Sequence, residues 1–546
     1  MSSDSSTRSS ANAKQFIAMF SFLQSDVEDK VPSSSCVSLG ISDDCATRSF
    51  QPLCNKCSRV GNYSQEFCRK TSLHGLQYLG EQERPLAERA CWILVILISI
   101  ASCLVVIMKQ WDKWQTSPVI VTFSETSTPA WNIPFPAVTF CSEMQFKQST
   151  FNFTEFYTRH MENNITEDES KKLYYTHLLC ETKMYDLPFL NGTVDGGIFE
   201  HFLNITLPPQ EMISICIWRG AAINCEVVFT LTITDEGVCY SFNNLPASEL
   251  FADDVIQANL TNNTPPTKNW SPENGYSLKK DLPETYPRRT MSAGIGAGLT
   301  VYAITQDQEA DFKCRMPMEG FKMMLHNPAV FPEVKKQFFR VPSNRDVVIG
   351  VHPKIIKTTI ELHNYSPQLR QCFFVHERRL RFFKIYTQEN CELECVTNYT
   401  LKHCSCAQYF MPRAKGNKIC GPMDTGCTIA VQEAYNFDAD NLEDCNCLPA
   451  CTEIKYDVEI SQSGYMWEPL FKRNKWKKKR IGSFNIFLKD MHVITRKRSE
   501  LYGASDFLAN CGGLLGLFLG FSILSLVEIV YFLSLRLFYN VGHYRR

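Results

Sequence analysis

The chain has 546 residues, with 56 Lys and Arg against 57 Asp and Glu, so its formal net charge is −1 at pH 7. A balance so near zero excludes a global electrostatic role such as coating nucleic acid, and function has to be carried locally. The 24 cysteines are about twice what a cytosolic protein of this length usually carries, which makes their placement informative.

Residues 1–88 open with a Ser-rich, weakly apolar stretch expected to be largely disordered and cytosolic. The short apolar segment Phe16 to Leu23 is not followed by the small-residue pattern of a cleaved signal peptide. Cys54 and Cys57 have zinc-ligand spacing, but a structural site needs a second pair of ligands and only Cys68 lies near, so no metal is expected. Ala90 to Met108 is then an uncharged run whose helical length nearly matches a hydrocarbon core of about 30 Å. Arg84, Glu88 and Arg89 precede it, and Lys109, Trp111, Asp112 and Trp114 follow, as at two water interfaces. Residues 89–109 are read as the first transmembrane helix.

Residues 110–506 are read as an extracellular domain. Sixteen cysteines lie between Cys141 and Cys451, an even number in one stretch. Asn-x-Ser/Thr acceptors recur at Asn152, Asn164, Asn191, Asn204, Asn259, Asn262, Asn269, Asn364 and Asn398, all within the same region. Asn62 is the one acceptor elsewhere and is read as unused. Val227 to Ile233 and Phe484 to Val493 read as strands and Glu167 to Leu179 as a helix, while Asn259 to Pro287 reads as an exposed loop. Lys472 to Arg480 carries seven basic residues in nine and fits a solvated loop, a protease-sensitive site or a lipid-headgroup contact.

From Phe507 to Leu535 a second apolar run carries one charge, Glu528. It is read as transmembrane helix two, followed by a cytosolic tail, 536–546. Gly512, Gly516 and Gly520 recur at intervals of four, the spacing that lets helices in lipid approach closely. An ionisable group such as Glu528 inside an apolar run is expensive unless it faces water or a partner. It would form either an acidic ring among several copies or a hydrogen bond between helices.

Several motifs together resemble the epithelial sodium channel and degenerin family. They are His74-Gly75; Phe135 to Cys141, reading FPAVTFC; Gly237 to Asn243, reading GVCYSFN; and Cys391, Cys395, Cys404, Cys406, Cys420, Cys427, Cys445, Cys447 and Cys451, at the spacing of that family's thumb region. Trp270 to Tyr276, WSPENGY, looks most like the insect pickpocket branch. The resemblance implies a membrane protein with two transmembrane α-helices flanking a large disulfide-rich α+β ectodomain, assembled as a trimeric channel. Gly520-Phe521-Ser522 fits the family's selectivity filter, because an apolar stretch and Glu528 follow it. Gly503-Ala504-Ser505 matches the same pattern but precedes the apolar run and is rejected.

The resemblance also implies gating roles for His74, Gly75 and Ala509, a pore role for Glu528, and a set of disulfides: Cys141–Cys239, Cys216–Cys225, Cys372–Cys451, Cys391–Cys447, Cys395–Cys445, Cys404–Cys427 and Cys406–Cys420. Cys180 and Cys314 remain and are expected to pair. The expected function is a subunit of a non-voltage-gated, sodium-permeable, amiloride-sensitive channel, multi-pass in the plasma membrane with both termini cytosolic. Its partners would be membrane lipid, two like or related subunits and an unidentified extracellular stimulus or ligand, with Na+ as permeant ion, no cofactor and no nucleic acid. The competing readings are an ATP-gated-type trimeric cation channel and a non-conducting adhesion or signalling receptor. No nucleophile, metal or phosphate-loop constellation points to an enzyme.

Overall fold

The computed structural model describes residues 63–81, 83–116, 119–180, 190–259, 265–267, 270–277, 285–437, 445–466, 479–536 and 538–539. Its chain divides into two compact units: Met1–Cys103 with Leu515–Arg546, and Leu104–Leu514. Cys54, Cys57, Asn62, Asn262, Asn269 and residues 472–478 of the basic run lie outside the described residues.

In the second unit, two sheets face each other. The eight-stranded one runs in the order Val119–Phe123, Arg496–Glu500, Arg345–Thr358, Arg480–Leu488, Leu299–Thr305, Ile213–Trp218, Ala221–Ile223, with Glu453–Gly464 also paired to Arg345–Thr358. The five-stranded one runs Phe339–Val341, Phe321–His326, Ala137–Ser142, Gly237–Phe242, Phe229–Thr234. Phe140, Phe242, Val301, Val347, Phe484 and Ile486 fill one core. The family-like segments Ala137–Ser142 and Gly237–Phe242 are neighbours in the sheet and buried at every residue. Their buried hydroxyls are satisfied by each other, Thr139 Oγ1 lying 2.7 Å from Ser241 Oγ. Asn243, at φ +62°, closes their end by donating its amide to the Phe135 carbonyl at 2.6 Å and accepting from the Arg288 N–H at 2.5 Å. Those two motifs therefore hold the middle of the ectodomain together.

A second core, built around Phe153, Leu173, Phe202, Phe382, Leu393 and Tyr409, belongs to the helical part. Its helices Gln388–Cys404 and Thr425–Phe437 carry four of the nine cysteines of the cysteine-rich motif, Cys391, Cys395, Cys404 and Cys427. Eight disulfides join Cys141 to Cys239, Cys180 to Cys314, Cys216 to Cys225, Cys372 to Cys451, Cys391 to Cys447, Cys395 to Cys445, Cys404 to Cys427 and Cys406 to Cys420, with Cα separations from 4.5 to 5.9 Å. Seven of these pairs are those the resemblance implies, and Cys180–Cys314 joins the two cysteines that it leaves over.

Local details differ from the sequence reading. Cys225–Val228 is a helical turn, capped by the Asn224 side chain on the Glu226 N–H and tied by the Cys216 disulfide, so the strand expected from Val227 starts at Phe229. The strand expected over Phe484 to Val493 is instead Arg480–Leu488 followed by a separate pair, His492–Val493. The expected helix ends at His177. Within the expected exposed loop, Trp270–Ser271 pairs with Gly275–Tyr276, and Trp270 and Tyr286 are buried.

Between the sheets and the helices lies a buried charge network. Arg315 and Lys322 both meet Glu236, Lys322 at 2.9 Å; Lys322 also lies 3.7 Å from Glu143, and Arg340 reaches Glu143 at 2.8 Å. Burial alone would raise the Glu236 carboxyl, but Arg315, Lys335 and Lys322 outweigh it and hold the group at about 2, against an ordinary 4.5. A group depressed in this way stabilises the fold above about pH 4.5, and that contribution is lost as the pH falls toward 2. Replacing Arg315 by Met should leave Glu236 buried without its main partner and destabilise the protein by about 3–5 kcal/mol. Thermal unfolding of the purified full-length chain checks both points, because the variant should also lose part of the wild type's acid dependence.

Candidate functional site

Helix Leu86–Thr116 has 31 residues and is apolar enough to cross a membrane. No described residue between Leu86 and Thr116 is Pro or Gly, so nothing interrupts its backbone hydrogen bonds. At roughly 1.5 Å per residue it is about 46 Å long, more than a hydrocarbon core requires. The second apolar run behaves differently. Ala504–Leu519 and Ile523–Arg536 pass the same test only as a pair, bent by 71° at the break between them.

That break is Gly520-Phe521-Ser522. Gly520 takes φ +65° and returns its N–H to the Gly516 carbonyl at 2.9 Å, the left-handed closure by which glycine ends a helix. Ser522 begins the next helix: its Oγ accepts the Ser525 N–H at 3.2 Å while Ser525 Oγ accepts the Ser522 N–H at 3.1 Å. This reciprocal cap satisfies donors that a broken helix would leave exposed. Gly503-Ala504-Ser505, the rejected match, starts the helix before the break, with Asp506 accepting the Gly503 N–H at 3.1 Å.

The segment ahead of the first long helix wraps this break. Residues 63–70 are helical. Phe67 and Tyr63 meet Phe532 edge-on, the Tyr63 hydroxyl donates to the Phe532 carbonyl, and Glu66 pairs with Arg536. Beyond that helix the chain turns, and the His74 N–H donates to the Leu519 carbonyl at 3.1 Å. The imidazole of His74 covers Gly520 so closely that a Cβ there would stand 2.6–2.8 Å from its ring. Gly75, at φ +86°, sits against Ile96 and Trp92, and Tyr78 stacks on Trp92 at 4.3 Å. Two motifs separated by more than 440 residues thus form one constellation.

Two participants escape a reading of the sequence. Ser72 donates its N–H at 3.0 Å and its hydroxyl at 3.1 Å to one carboxylate oxygen of Glu528, and its Oγ lies 2.7 Å from that of Ser525. Ser525 is wholly buried. Serine is too common in any chain for either position to stand out, and only the fold brings them together. Glu528 is therefore hydrogen-bonded within one chain, by the wrapping segment rather than by a neighbouring helix.

In the second unit, Phe507 packs on Trp114 at 5.0 Å and on Trp111 at 5.6 Å. Ala509, Gly512 and Gly513 are exposed, and a Cβ on either glycine would meet nothing within 4 Å. At 100° per residue these three lie on the side of the helix away from Phe507. Among the acceptor asparagines, Asn164, Asn191, Asn204, Asn364 and Asn398 are exposed, whereas Asn152 is half-buried with its Oδ1 accepting the Glu155 N–H at 3.1 Å. The backbone of Asn259 ends a short helical turn. Elsewhere in this unit a cleft of about 700 Å³ is lined by Asp235, Glu333, Lys336, Glu392 and Tyr435, among others. Burial pushes Glu333 up to about 7 and Asp235 up to about 6.

A protein family described as amiloride-sensitive sodium channel matches residues 67–532, most of the chain. The chain accordingly belongs to a class of membrane ion channels rather than of enzymes. It belongs to the amiloride-sensitive sodium channel family. Pickpocket protein 28 of Drosophila melanogaster is 29% identical over 492 residues, covering 86% of this chain and 78% of the relative. Sodium channel protein Nach of the same organism is 23% identical over 500 residues, covering 86% of both, and acid-sensing ion channel 1A of Danio rerio is 22% identical over 510 residues, covering 88% of both.

Gly520 should tolerate no side chain, for two separable reasons. Alanine would carry a left-handed penalty of about 1–2 kcal/mol and its methyl would also collide with His74. In the purified full-length protein, Gly520→Ala should lower the thermal midpoint, and adding His74→Ala should restore part of the loss. An equal loss in both backgrounds would show that the imidazole does not cover Gly520.

Proposed function

We propose that the chain is one subunit of a non-voltage-gated, sodium-permeable, amiloride-sensitive cation channel in which three like or related copies surround a pore formed by the broken second helix. The observation that carries this reading is the bend at Gly520-Phe521-Ser522, wrapped by the His74-Gly75 segment. Irregular backbone at membrane depth is tolerated only where protein buries it or water fills a cavity. A bend with its own caps and an enclosing segment meets that condition. Several copies around an axis would direct its oxygen atoms at an ion in place of water.

Residues 1–88 and 536–546 are assigned to the cytosol, 89–109 and 507–535 to the membrane, and 110–506 to the outside of the plasma membrane. The disulfides and exposed acceptor asparagines support the outer assignment, since both need an oxidising, glycosylating compartment. Ala509, Gly512 and Gly513, exposed on the face away from Phe507, support close approach of three helices, with Ala509 at the crossing. Three copies of Glu528 would make a ring that attracts cations, with Na+ as permeant ion. The names of the relatives, several of them sodium channels, favour this over an ATP-gated-type trimer. The hydrogen-bonded state of Glu528 within one chain is what a non-conducting receptor would also have, so the decision rests on current.

In cells expressing the chain, alone and with related subunits, an inward sodium current blocked by amiloride is expected. Glu528→Gln should lower its conductance, and Ala509→Phe should raise open probability by disfavouring the closed crossing. Tags at both termini should be reachable by antibody only after permeabilisation. Unchanged conductance and open probability in surface-delivered variants, with current measurable, would remove this helix from the pore and favour the non-conducting receptor.

A further inference from the structure

We propose that Ser72 is a positioning residue for ion selectivity: it links Ser525 to Glu528 in a one-way hydrogen-bond relay that turns the oxygen lone pair of Ser522 toward the permeant ion. The inference deepens, and rests on, the reading of Gly520-Phe521-Ser522 as the filter.

The direction of the relay follows from counting protons. A serine hydroxyl has one proton to give and two lone pairs to receive with, and an ionised carboxylate only receives. Ser72 Oγ points its proton at Glu528, 3.1 Å away, on the same oxygen that its N–H holds at 3.0 Å. Its 2.7 Å contact with Ser525 must then be one that it accepts, so the Ser525 proton is committed to Ser72. Ser525 Oγ keeps two lone pairs. One receives the Ser522 N–H at 3.1 Å, and the other faces the Ser522 hydroxyl, also at 3.1 Å. Because Ser525 has no proton left, Ser522 must be the donor there.

Each bond is thus fixed in the order Ser522, Ser525, Ser72, Glu528, and a chain of this kind polarises each link in turn. Ser525 is wholly buried, so water does not compete for its oxygen. Ser522, in contrast, is exposed. Its proton points inward and one lone pair takes the Ser525 N–H at 3.2 Å, which leaves a single lone pair facing outward. An oxygen so fixed can ligate a partly dehydrated cation and cannot rotate to offer a proton instead. Glu528 consequently acts at two distances, as an anchor for the relay and as a charge.

The test is the ratio of sodium to potassium permeability, taken from reversal potentials of full-length channels at matched surface delivery. Ser72→Ala should lower that ratio about threefold to tenfold, the scale of one hydrogen bond, while Ser72→Thr, which keeps the hydroxyl, should preserve it. If Ser72→Ala does not reach the surface, Ser525→Ala cuts the same relay and should shift the ratio likewise. Adding Glu528→Gln to Ser72→Ala should lower the ratio by less than it does in the wild type, since the relay is already cut. An unchanged ratio in both serine-to-alanine variants, in channels whose ratio does respond to changes at Gly520 or Ser522, would overturn the relay and leave the filter standing. If changes at Gly520 and Ser522 also had no effect, the filter reading itself would fall.

Discussion

An apolar helix can bend only if the backbone groups it exposes at the bend find partners, and much of this protein's first unit answers that requirement. The cost of an unpaired amide in hydrocarbon is several kcal/mol. Gly520 turns its own N–H back on Gly516, the Leu519 carbonyl receives His74, and the next helix opens on a Ser522–Ser525 cap. Glycine is required at 520 because the backbone there is left-handed and because the His74 ring occupies the space of a side chain. The aromatic contacts of Tyr63 and Phe67 with Phe532, and the pairing of Glu66 with Arg536, hold the wrapping segment in register with the helix it serves.

The ectodomain solves a different problem. It buries Glu236, Arg315, Lys322 and Glu143 together, and such a group is costly if any one partner is lost. Rigid surroundings keep the partners in place. The fully buried strands Ala137–Ser142 and Gly237–Phe242 are joined by the Cys141–Cys239 disulfide, and Cys180–Cys314 ties the residue next to Arg315 to the helical part. The cysteine-rich helices Gln388–Cys404 and Thr425–Phe437 are linked to each other through Cys404–Cys427. An external stimulus acting on such a domain would move bodies rather than single side chains, because interlocked cores do not deform continuously.

The sequence made the coarse plan readable wherever chemistry is local. Two apolar runs and a cysteine-rich region between them follow from the side-chain types of contiguous residues, and the structure has apolar helices and disulfides there. Long-range partnerships were not readable in the same way. Val227 and Val228 have strand-like side chains, but the Cys216–Cys225 disulfide and the Asn224 cap draw them into a helical turn. Trp270 and Tyr286 lie in a stretch of Asn, Thr and Pro, yet both are buried: Trp270 packs with Leu245 and Ala329, and the Tyr286 hydroxyl donates to the Asn244 carbonyl. For the constellation at the bend, Gly520, Ser522, Glu528, His74 and Gly75 were visible by resemblance, whereas Ser72 and Ser525 carry no local signature. Their meaning depends on partners as far apart as 456 residues.

The central claim is that the Gly520-Phe521-Ser522 bend lines the path of the ion. Its most direct test is to replace Ser522 by Cys and apply a small cationic thiol reagent while recording sodium current from full-length channels. The account predicts that modification, confirmed by mass on the same protein, blocks most of the current and proceeds faster when the channel is open. Complete modification with the current unaltered would contradict it.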